Sequence, residues 1–191
     1  LQLVAPIHRK ARLMTKGREG WEDHIINCQL QTNVIWMHCA SLGEFEQGRP
    51  IIEAIKKKYP SCSLVLTFFS PSGYEIQKDY ELADVILYLP FDSPRNAARF
   101  IELVNPALVI FIKYEFWYNY LNQLKSRRIP AYLVSGIFRH EQFFFKKGWS
   151  FFKEMLHCFN HFFVQNAASK QLLNSIGLQN ITVSGDTRFD R

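Results

Sequence analysis

Seven short apolar runs, each separated from the next by a segment of helical pattern, constrain the fold of this chain more than any other feature. Runs of this length are typical of buried strands. Repeated strand-helix units imply a parallel sheet covered by helices on both faces. The sequence therefore predicts an α/β fold, a Rossmann-like doubly wound parallel sheet. The predicted strands are Val34–His38, Ser63–Phe68, Val85–Leu89, Leu108–Ile112, Ala131–Val134, Phe159–Val164 and Ile181–Val183.

The chain divides into a lead-in and one domain. A length of 191 residues and a hydrophobic content of 48% suit one globular domain, which we assign to residues 33–191. Residues 1–32 form a basic, partly helical lead-in that we expect near a membrane. No apolar run approaches the roughly 20 residues of a transmembrane helix. The chain begins at Leu1, so we expect either peripheral attachment or an anchor removed from the N-terminal side.

Ligands of a doubly wound sheet bind at the carboxyl ends of its strands. Small residues and hydroxyls follow the first two predicted strands, which lets the backbone approach a sugar or phosphate closely. Ordinary turn chemistry explains any one of these residues equally well. The candidate ligand-binding residues of this group are Ser41, Gly43, Ser70, Ser72 and Gly73.

Glu44 is the only obvious base in the segment that joins the first strand to its helix. A strand that ends in small residues and feeds a helix aims backbone N–H groups and this acid at whatever lies above the sheet. A carboxylate within reach of a hydroxyl can take its proton. A helix-capping role is the alternative, and the residues alone leave both interpretations open.

Several other functions lack their motif. Gly43–Arg49 resembles a phosphate-binding loop, but Arg49 and Pro50 stand where Lys and then Ser or Thr are needed. Neither G-x-G-x-x-G nor G-x-S-x-G occurs, so nicotinamide and hydrolase chemistry lose their main support. His157 and His161 lie four residues apart but run into an apolar strand, so we expect no metal site and no cofactor. Four widely spaced cysteines without a C-x-x-C pair are typical of a cytoplasmic protein.

Positive charge is concentrated in two segments of a chain whose net charge is +6. Basic residues mixed with large aromatics suit an anionic membrane surface or an anionic amphiphile. A core helix with a solvated basic face is the alternative, and nucleic acid is not expected because no recognition module accompanies the charge. The predicted lipid-facing cations are Arg9, Lys10, Arg12, Lys146, Lys147 and Lys153, with Lys16 and Arg18 in the first segment, while the aromatics of the second segment include Phe143, Phe144, Trp149, Phe151 and Phe152.

Four ordered motifs carry a family resemblance that runs from about Trp21 to the end of the chain. They are His38–Glu44, Thr67–Tyr74, Tyr88–Asp92 and Glu115–Asn119. Together they resemble the N-terminal half of the 3-deoxy-D-manno-oct-2-ulosonic acid (Kdo) transferases, the lipid A glycosyltransferase family.

The resemblance implies a two-domain B-type glycosyltransferase that is inverting and metal-independent. Such an enzyme moves Kdo from CMP-Kdo to a lipid A precursor at the cytoplasmic face of the bacterial inner membrane. The N-terminal domain binds the acceptor, and the C-terminal domain, which is absent from this chain, binds the donor. We therefore expect this chain to be inactive alone.

The resemblance also suggests roles for particular residues. Glu44 would be the catalytic base, Glu115 would position the acceptor, and Trp117 would wall the acceptor pocket. An ion pair of Glu115 with Lys113 or a neighbouring arginine is the alternative. Many family members carry an arginine after the fifth strand, where this chain has Ser135–Ile137, and we expect Arg139 to serve instead.

Two other function classes remain open at the level of sequence. A nucleotide-sugar epimerase of related fold would share the rim of the sheet. A non-catalytic module that binds anionic lipid would keep the basic aromatic surface without needing Glu44.

Overall fold

The computed structural model describes residues 9–146 and 150–189, and every structural statement below concerns those residues. They contain seven strands, and each lies within two residues of its predicted bounds. The strands are β1 (Ile35–Cys39), β2 (Leu64–Phe68), β3 (Val85–Tyr88), β4 (Leu108–Ile112), β5 (Ala131–Gly136), β6 (His161–Val164) and β7 (Ile181–Val183).

All seven strands form one sheet in the order β3-β2-β1-β4-β5-β6-β7, and every neighbouring pair is parallel. The predicted α/β, Rossmann-like doubly wound sheet is confirmed. The chain builds outward from β1 to one edge, then returns to the other side of β1 and builds to the opposite edge. This reversal places β1 beside β4, with Ile35 opposite Leu108 and His38 opposite Phe111.

Helices cover both faces of the sheet. Alternate side chains of each strand enter one of two cores, so Trp36 packs on one face while Met37 packs on the other. The helices are α1 (Arg9–Lys16), α2 (Trp21–Asn27), α3 (Leu42–Lys58), α4 (Pro71–Gln77), α5 (Pro94–Val104), α6 (Tyr118–Ser126), α7 (Ser150–Leu156) and α8 (Ala167–Ser175). Helix α3 packs on the Met37 face, and helices α5 and α6 pack on the Trp36 face.

The lead-in packs against the domain rather than standing away from it. Ile25 of α2 is buried in the Trp36-face core, and the ring of Trp21 lies 5.9 Å from that of Phe100. Helix α1 contacts α4. Met14 of α1 and Ile25 of α2 are therefore covered by the domain, whereas Ile26 remains exposed.

Arg18 corrects the prediction that the whole basic lead-in faces a lipid surface, because its side chain is buried. Its guanidinium donates to the carbonyls of Leu89 at 2.7 Å, Phe69 at 2.9 Å and Met14 at 2.5 Å. It also lies over the ring of Phe91, 4.4 Å from the ring centre. Burial lowers the pKa of Arg18 to about 10. The charge of Arg18 thus holds the lead-in to the loops after β2 and β3.

Candidate active site

The strand order reverses between β1 and β4, and doubly wound sheets bind their ligands at the carboxyl ends of the strands on either side of such a reversal; the space between the loops that follow β1 and β4 is called the crevice below. Parallel pairing of these strands sets the loops that follow them side by side. The loop after β1 leads to Glu44, and the loop after β4 carries Glu115. Two acids from distant parts of the sequence therefore lie near each other at the switch point of the sheet.

Glu44 is the third residue of α3 and helps to close the N-terminus of that helix. Ser41, the N-cap residue, has extended backbone, and its N–H donates to Glu44 Oε2 at 3.1 Å. This contact is the reciprocal half of a capping box. The helix-capping interpretation of Glu44 is therefore correct, and the same hydrogen bond fixes its carboxyl group beside the crevice.

The surroundings of Glu44 raise its pKa from 4.5 to about 7. Burial is the largest cause, and the negative charge of Glu115 acts in the same direction. Backbone hydrogen bonds at Ala40 and Ser41 and the charge of Lys113 oppose the rise without cancelling it. A carboxyl group with a pKa near 7 is matched to general-base catalysis at neutral pH, because it is more basic than an ordinary carboxylate and about half of it is still ionised.

Glu115 is buried and held by two donors from different parts of the chain. Its Oε2 accepts from Trp117 Nε1 at 2.6 Å and lies 3.0 Å from His38 Nε2. Among the described residues, the side chains that bind Glu115 are thus Trp117 and His38 rather than Lys113 or an arginine. The ring of Trp117 also lies 5.0 Å from that of Phe69, so it forms a wall between the loops after β2 and β4.

Two non-glycine residues have left-handed backbone at this edge of the sheet. Lys113 follows β4 with a φ of 67°, and Ser135 lies near the end of β5 with a φ of 59°. The pairing of β5 with β6 shifts register at the same place, between Val134 and Gly136. Such conformations cost energy in residues with a side chain, and they cluster at functional sites.

The predicted hydroxyl and glycine residues differ in what they offer a ligand. Gly43 is exposed, and a Cβ added there would touch nothing within 4 Å. Ser70 caps α4, and its Oγ lies 3.1 Å from Ser72 Oγ. Gly73 is buried, and a Cβ there would lie 2.3 Å from the ring of Phe68 and 3.1 Å from the backbone of Ser41. The small size of Gly73 therefore serves the close packing of α4 against the β1 loop.

Arg139 lies on the loop after β5, and its side chain is exposed. It lines a cavity of about 580 Å³ together with Tyr114, Phe116 and Phe143. The charge of Arg139 partly opposes the burial that raises the pKa of Tyr114. A cation and several aromatic rings therefore line the same cavity, beside the loop that carries Glu115.

The basic aromatic segment after β5 is partly core and partly surface. Phe144 is buried against Phe116, with ring centres 4.7 Å apart, whereas Phe143 and Phe151 are exposed. Lys146 Nζ lies 5.3 Å from the ring centre of Phe143. On the lead-in, Lys10 and Arg12 are exposed, and Lys153 of α7 is partly buried. Lys147, Trp149 and the side chain of Arg9 lie outside the described residues.

The described residues lack the features of a metal centre and of a membrane-spanning helix. They contain no group of three or more His, Cys, Asp and Glu side chains arranged to hold a metal ion. No helix among them has both the length and the apolar character needed to cross a membrane.

Apolar patterning alone did not identify His38 and Thr67 as site residues. His38 is the fourth of the five residues of an otherwise apolar strand, and Glu115 is 77 residues further along the chain. A polar side chain in a central, doubly buried strand is the signal that would have drawn attention to both residues, because such a group needs a buried partner.

The strand order and the acid-bearing crevice at the switch point define the class of protein: a Rossmann-like α/β domain of the kind that forms one half of a B-type glycosyltransferase. A UDP-GlcNAc 2-epimerase from Neisseria meningitidis, solved with UDP-GlcNAc, has a similar fold at a TM-score of 0.62 and 16% sequence identity, over 83% of this chain and 48% of that one. The chain belongs to the Kdo transferase family, because the profile described as 3-Deoxy-D-manno-octulosonic-acid transferase (kdotransferase) matches residues 11–191.

Curated relatives agree with this assignment. The 3-deoxy-D-manno-octulosonic acid transferase of Haemophilus influenzae is 36% identical over 103 residues, which is 53% of this chain and 24% of the relative. The enzyme of the same name from Aquifex aeolicus is 32% identical over 116 residues, 60% of this chain and 30% of the relative. The chain therefore spans less than a third of the length of these two relatives.

Proposed function

We propose that this chain is the acceptor-binding half of an inverting glycosyltransferase that moves Kdo from CMP-Kdo to a lipid A precursor. The observation that carries the proposal is the placement of Glu44 at the first turn of α3, at the switch point of the sheet, where Ser41 N–H fixes its carboxyl group and burial raises its pKa. A second domain of the same protein binds CMP-Kdo, and no metal or other cofactor takes part. Family membership supports the reaction class, and the crevice supplies the chemistry.

The transfer step needs one base. A hydroxyl of the acceptor gives its proton to the carboxylate of Glu44 while its oxygen attacks the anomeric carbon of Kdo. The bond between that carbon and the phosphate oxygen breaks on the opposite face, so CMP leaves with the bonding electrons and the configuration inverts. Glu115, which also faces the crevice, holds the acceptor in place beside Glu44. Burial of both acids strengthens these interactions, because water screens them less.

The acceptor side of the proposal uses the rim around the crevice. Ser41 and Gly43 border Glu44 directly, and Ser70 and Ser72 offer hydroxyl groups on the neighbouring loop. Arg139 and the aromatic cavity beside it would take an anionic group and the apolar part of the acceptor. Together these residues suit a phosphorylated glycolipid, which carries hydroxyls, charge and acyl chains.

We further propose that the protein works at the cytoplasmic face of the inner membrane. The exposed cations Lys10, Arg12 and Lys146 and the exposed rings of Phe143 and Phe151 suit the headgroup level of an anionic bilayer. At about 1 kcal/mol per basic residue, a few such cations give reversible, salt-sensitive adsorption rather than insertion.

Release of CMP from CMP-Kdo by the full-length protein tests this function. We expect CMP to appear only when a lipid A precursor is present, together with a Kdo-bearing lipid product. Epimerisation of a nucleotide sugar without an acceptor would instead establish the epimerase alternative. Binding of anionic lipid without any turnover would establish the non-catalytic alternative.

A further inference from the structure

A buried chain of hydrogen bonds links β2 and β1 to the loop after β4, beneath the crevice. Trp36 Nε1 donates to Thr67 Oγ1 at 2.8 Å, and Thr67 Oγ1 lies 2.8 Å from His38 Nδ1. His38 Nε2 then lies 3.0 Å from Glu115 Oε2. The side chains of Trp36, Thr67 and His38 are fully buried. Polar groups at this depth destabilise the fold unless each is hydrogen-bonded, so the direction of every bond in the chain matters.

The partners of His38 select one form of its ring. A neutral ring with the proton on Nδ1 would set two acceptors, Nε2 and Glu115 Oε2, against each other at 3.0 Å. A doubly protonated ring would use the Thr67 oxygen as its acceptor. The Thr67 hydroxyl could then donate only to the carbonyl of Met37, at 3.4 Å, which is a longer and weaker hydrogen bond than one of 2.8 Å to Nδ1. A neutral ring with the proton on Nε2 avoids both problems, because Thr67 then donates to Nδ1 while accepting from Trp36, and Nε2 donates to Glu115.

The bonds to Glu115 leave one of its oxygens available. Both donors, His38 Nε2 and Trp117 Nε1, end at Oε2. Oε1 has no hydrogen-bond partner within residues 9–146 and 150–189, and it is not one of the fully buried polar atoms of that part of the chain. The carboxylate is therefore fixed by one oxygen, and the other is free to accept a further hydrogen bond.

We propose that His38 is a positioning residue: Thr67 holds it in the Nε2–H form, and it fixes Glu115 so that Oε1 accepts a hydroxyl group of the acceptor sugar beside Glu44. This inference rests on the proposed glycosyl transfer. His38 itself does not touch the substrate, because its ring is fully buried beneath Glu115. It acts only through the Glu115 carboxylate.

The tautomer can be measured without any activity. Long-range ¹H–¹⁵N spectra of the full-length protein, labelled at histidine, report which ring nitrogen carries the proton, and His38→Gln assigns the signal. We expect His38 with a protonated Nε2 and a bare Nδ1. Thr67→Val should change the His38 signals because Nδ1 loses its donor, whereas Thr67→Ser should preserve them. A ring protonated at Nδ1 would overturn the proposal.

Steady-state kinetics tests whether His38 acts on the reaction through Glu115. His38→Leu should raise KM for the acceptor or lower kcat by roughly ten- to a hundredfold, as for the loss of a hydrogen bond to a charged group, while KM for CMP-Kdo stays unchanged. His38→Gln keeps an N–H donor of similar reach, so it should recover most of the loss. In a Glu115→Gln background, His38→Leu should add little, because the carboxylate it positions is already gone.

Each outcome separates two ideas. Losses that multiply in the double variant, or an equal rise of KM for both substrates, would show that His38 supports only the fold and would overturn the proposal. If His38→Leu does not fold, the comparison of Thr67→Val with Thr67→Ser decides the question by the same kinetic criteria. If the wild-type protein transfers no Kdo, the proposed function fails, while the spectra still decide whether Thr67 and Glu115 hold the Nε2–H ring.

Discussion

Replacing Glu44 by Gln should abolish most activity while leaving the fold at least as stable. Gln can make the same hydrogen bond with the Ser41 N–H, because capping boxes use either Glu or Gln at this position. It cannot take a proton from a hydroxyl. In the full-length protein we expect kcat to fall by roughly 10²- to 10⁴-fold, as for a lost general base, with KM for CMP-Kdo nearly unchanged.

The raised pKa of Glu44 sets the size of the stability effect. A rise from 4.5 to about 7 corresponds to about 3 kcal/mol between the two protonation states. Because the carboxyl group keeps partial contact with water, we expect less than half of that, about 1 kcal/mol. The folded protein favours the protonated form, so the benefit is complete below pH 4.5 and disappears as the pH rises through 7. Glu44→Gln should therefore match the wild type at pH 4.5 and exceed it at pH 8.

Two measurements check this reasoning. Denaturant unfolding at pH 4.5 and pH 8 compares the free energy of unfolding of the wild type with that of Glu44→Gln, and the pH profile of kcat/KM in the wild type should have an acid limb near pH 7. Glu53→Gln, an exposed change on the same helix, serves as the control and should alter neither quantity. Near-normal turnover, or a destabilised variant at pH 8, would refute the assignment of Glu44 as the base.

Three further predictions follow from the site and the surface. Glu115→Gln should weaken acceptor use and move the acid limb of kcat/KM below pH 7, because the charge that helps to raise the pKa of Glu44 is removed; a loss of thermal stability alone would contradict the acceptor role. Residues 1–191 expressed alone should fold but show neither Kdo transfer nor tight CMP binding by calorimetry, and either activity would contradict a donor site in a second domain. Co-sedimentation with vesicles should need anionic lipid, fall as salt rises, and drop when Lys146, Lys147 and Lys153 become Gln. The matched control changes Lys57, Lys58 and Lys125 to Gln; these exposed positions lie near the C-terminal ends of α3 and α6, and their loss should have less effect. Equal effects of the two triple variants would refute a lipid-facing segment.

The local parts of this site could be predicted, and the long-range parts could not. Glu44 was found because a strand end, small residues and a helix start are contiguous in sequence. The contact between His38 and Glu115 depends on which strands become neighbours, and apolar periodicity does not state the strand order. The same limit explains the error at Arg18, since its carbonyl partners Phe69 and Leu89 lie 51 and 71 residues away. Composition shows how much charge a segment carries, but not which of its cations will be buried and donate to backbone carbonyls.

The anchorage of Arg18 has a consequence for the order in which the chain acquires its structure. The lead-in leaves the ribosome before the loops that hold it, because the carbonyls of Phe69 and Leu89 are synthesised 51 and 71 residues later. Helices α1 and α2 are too short to be stable alone, so they must wait for β3 and α5 before they dock. The lead-in can therefore dock only after β3 and α5 have been synthesised, and its docking ties down the loops that follow β2 and β3.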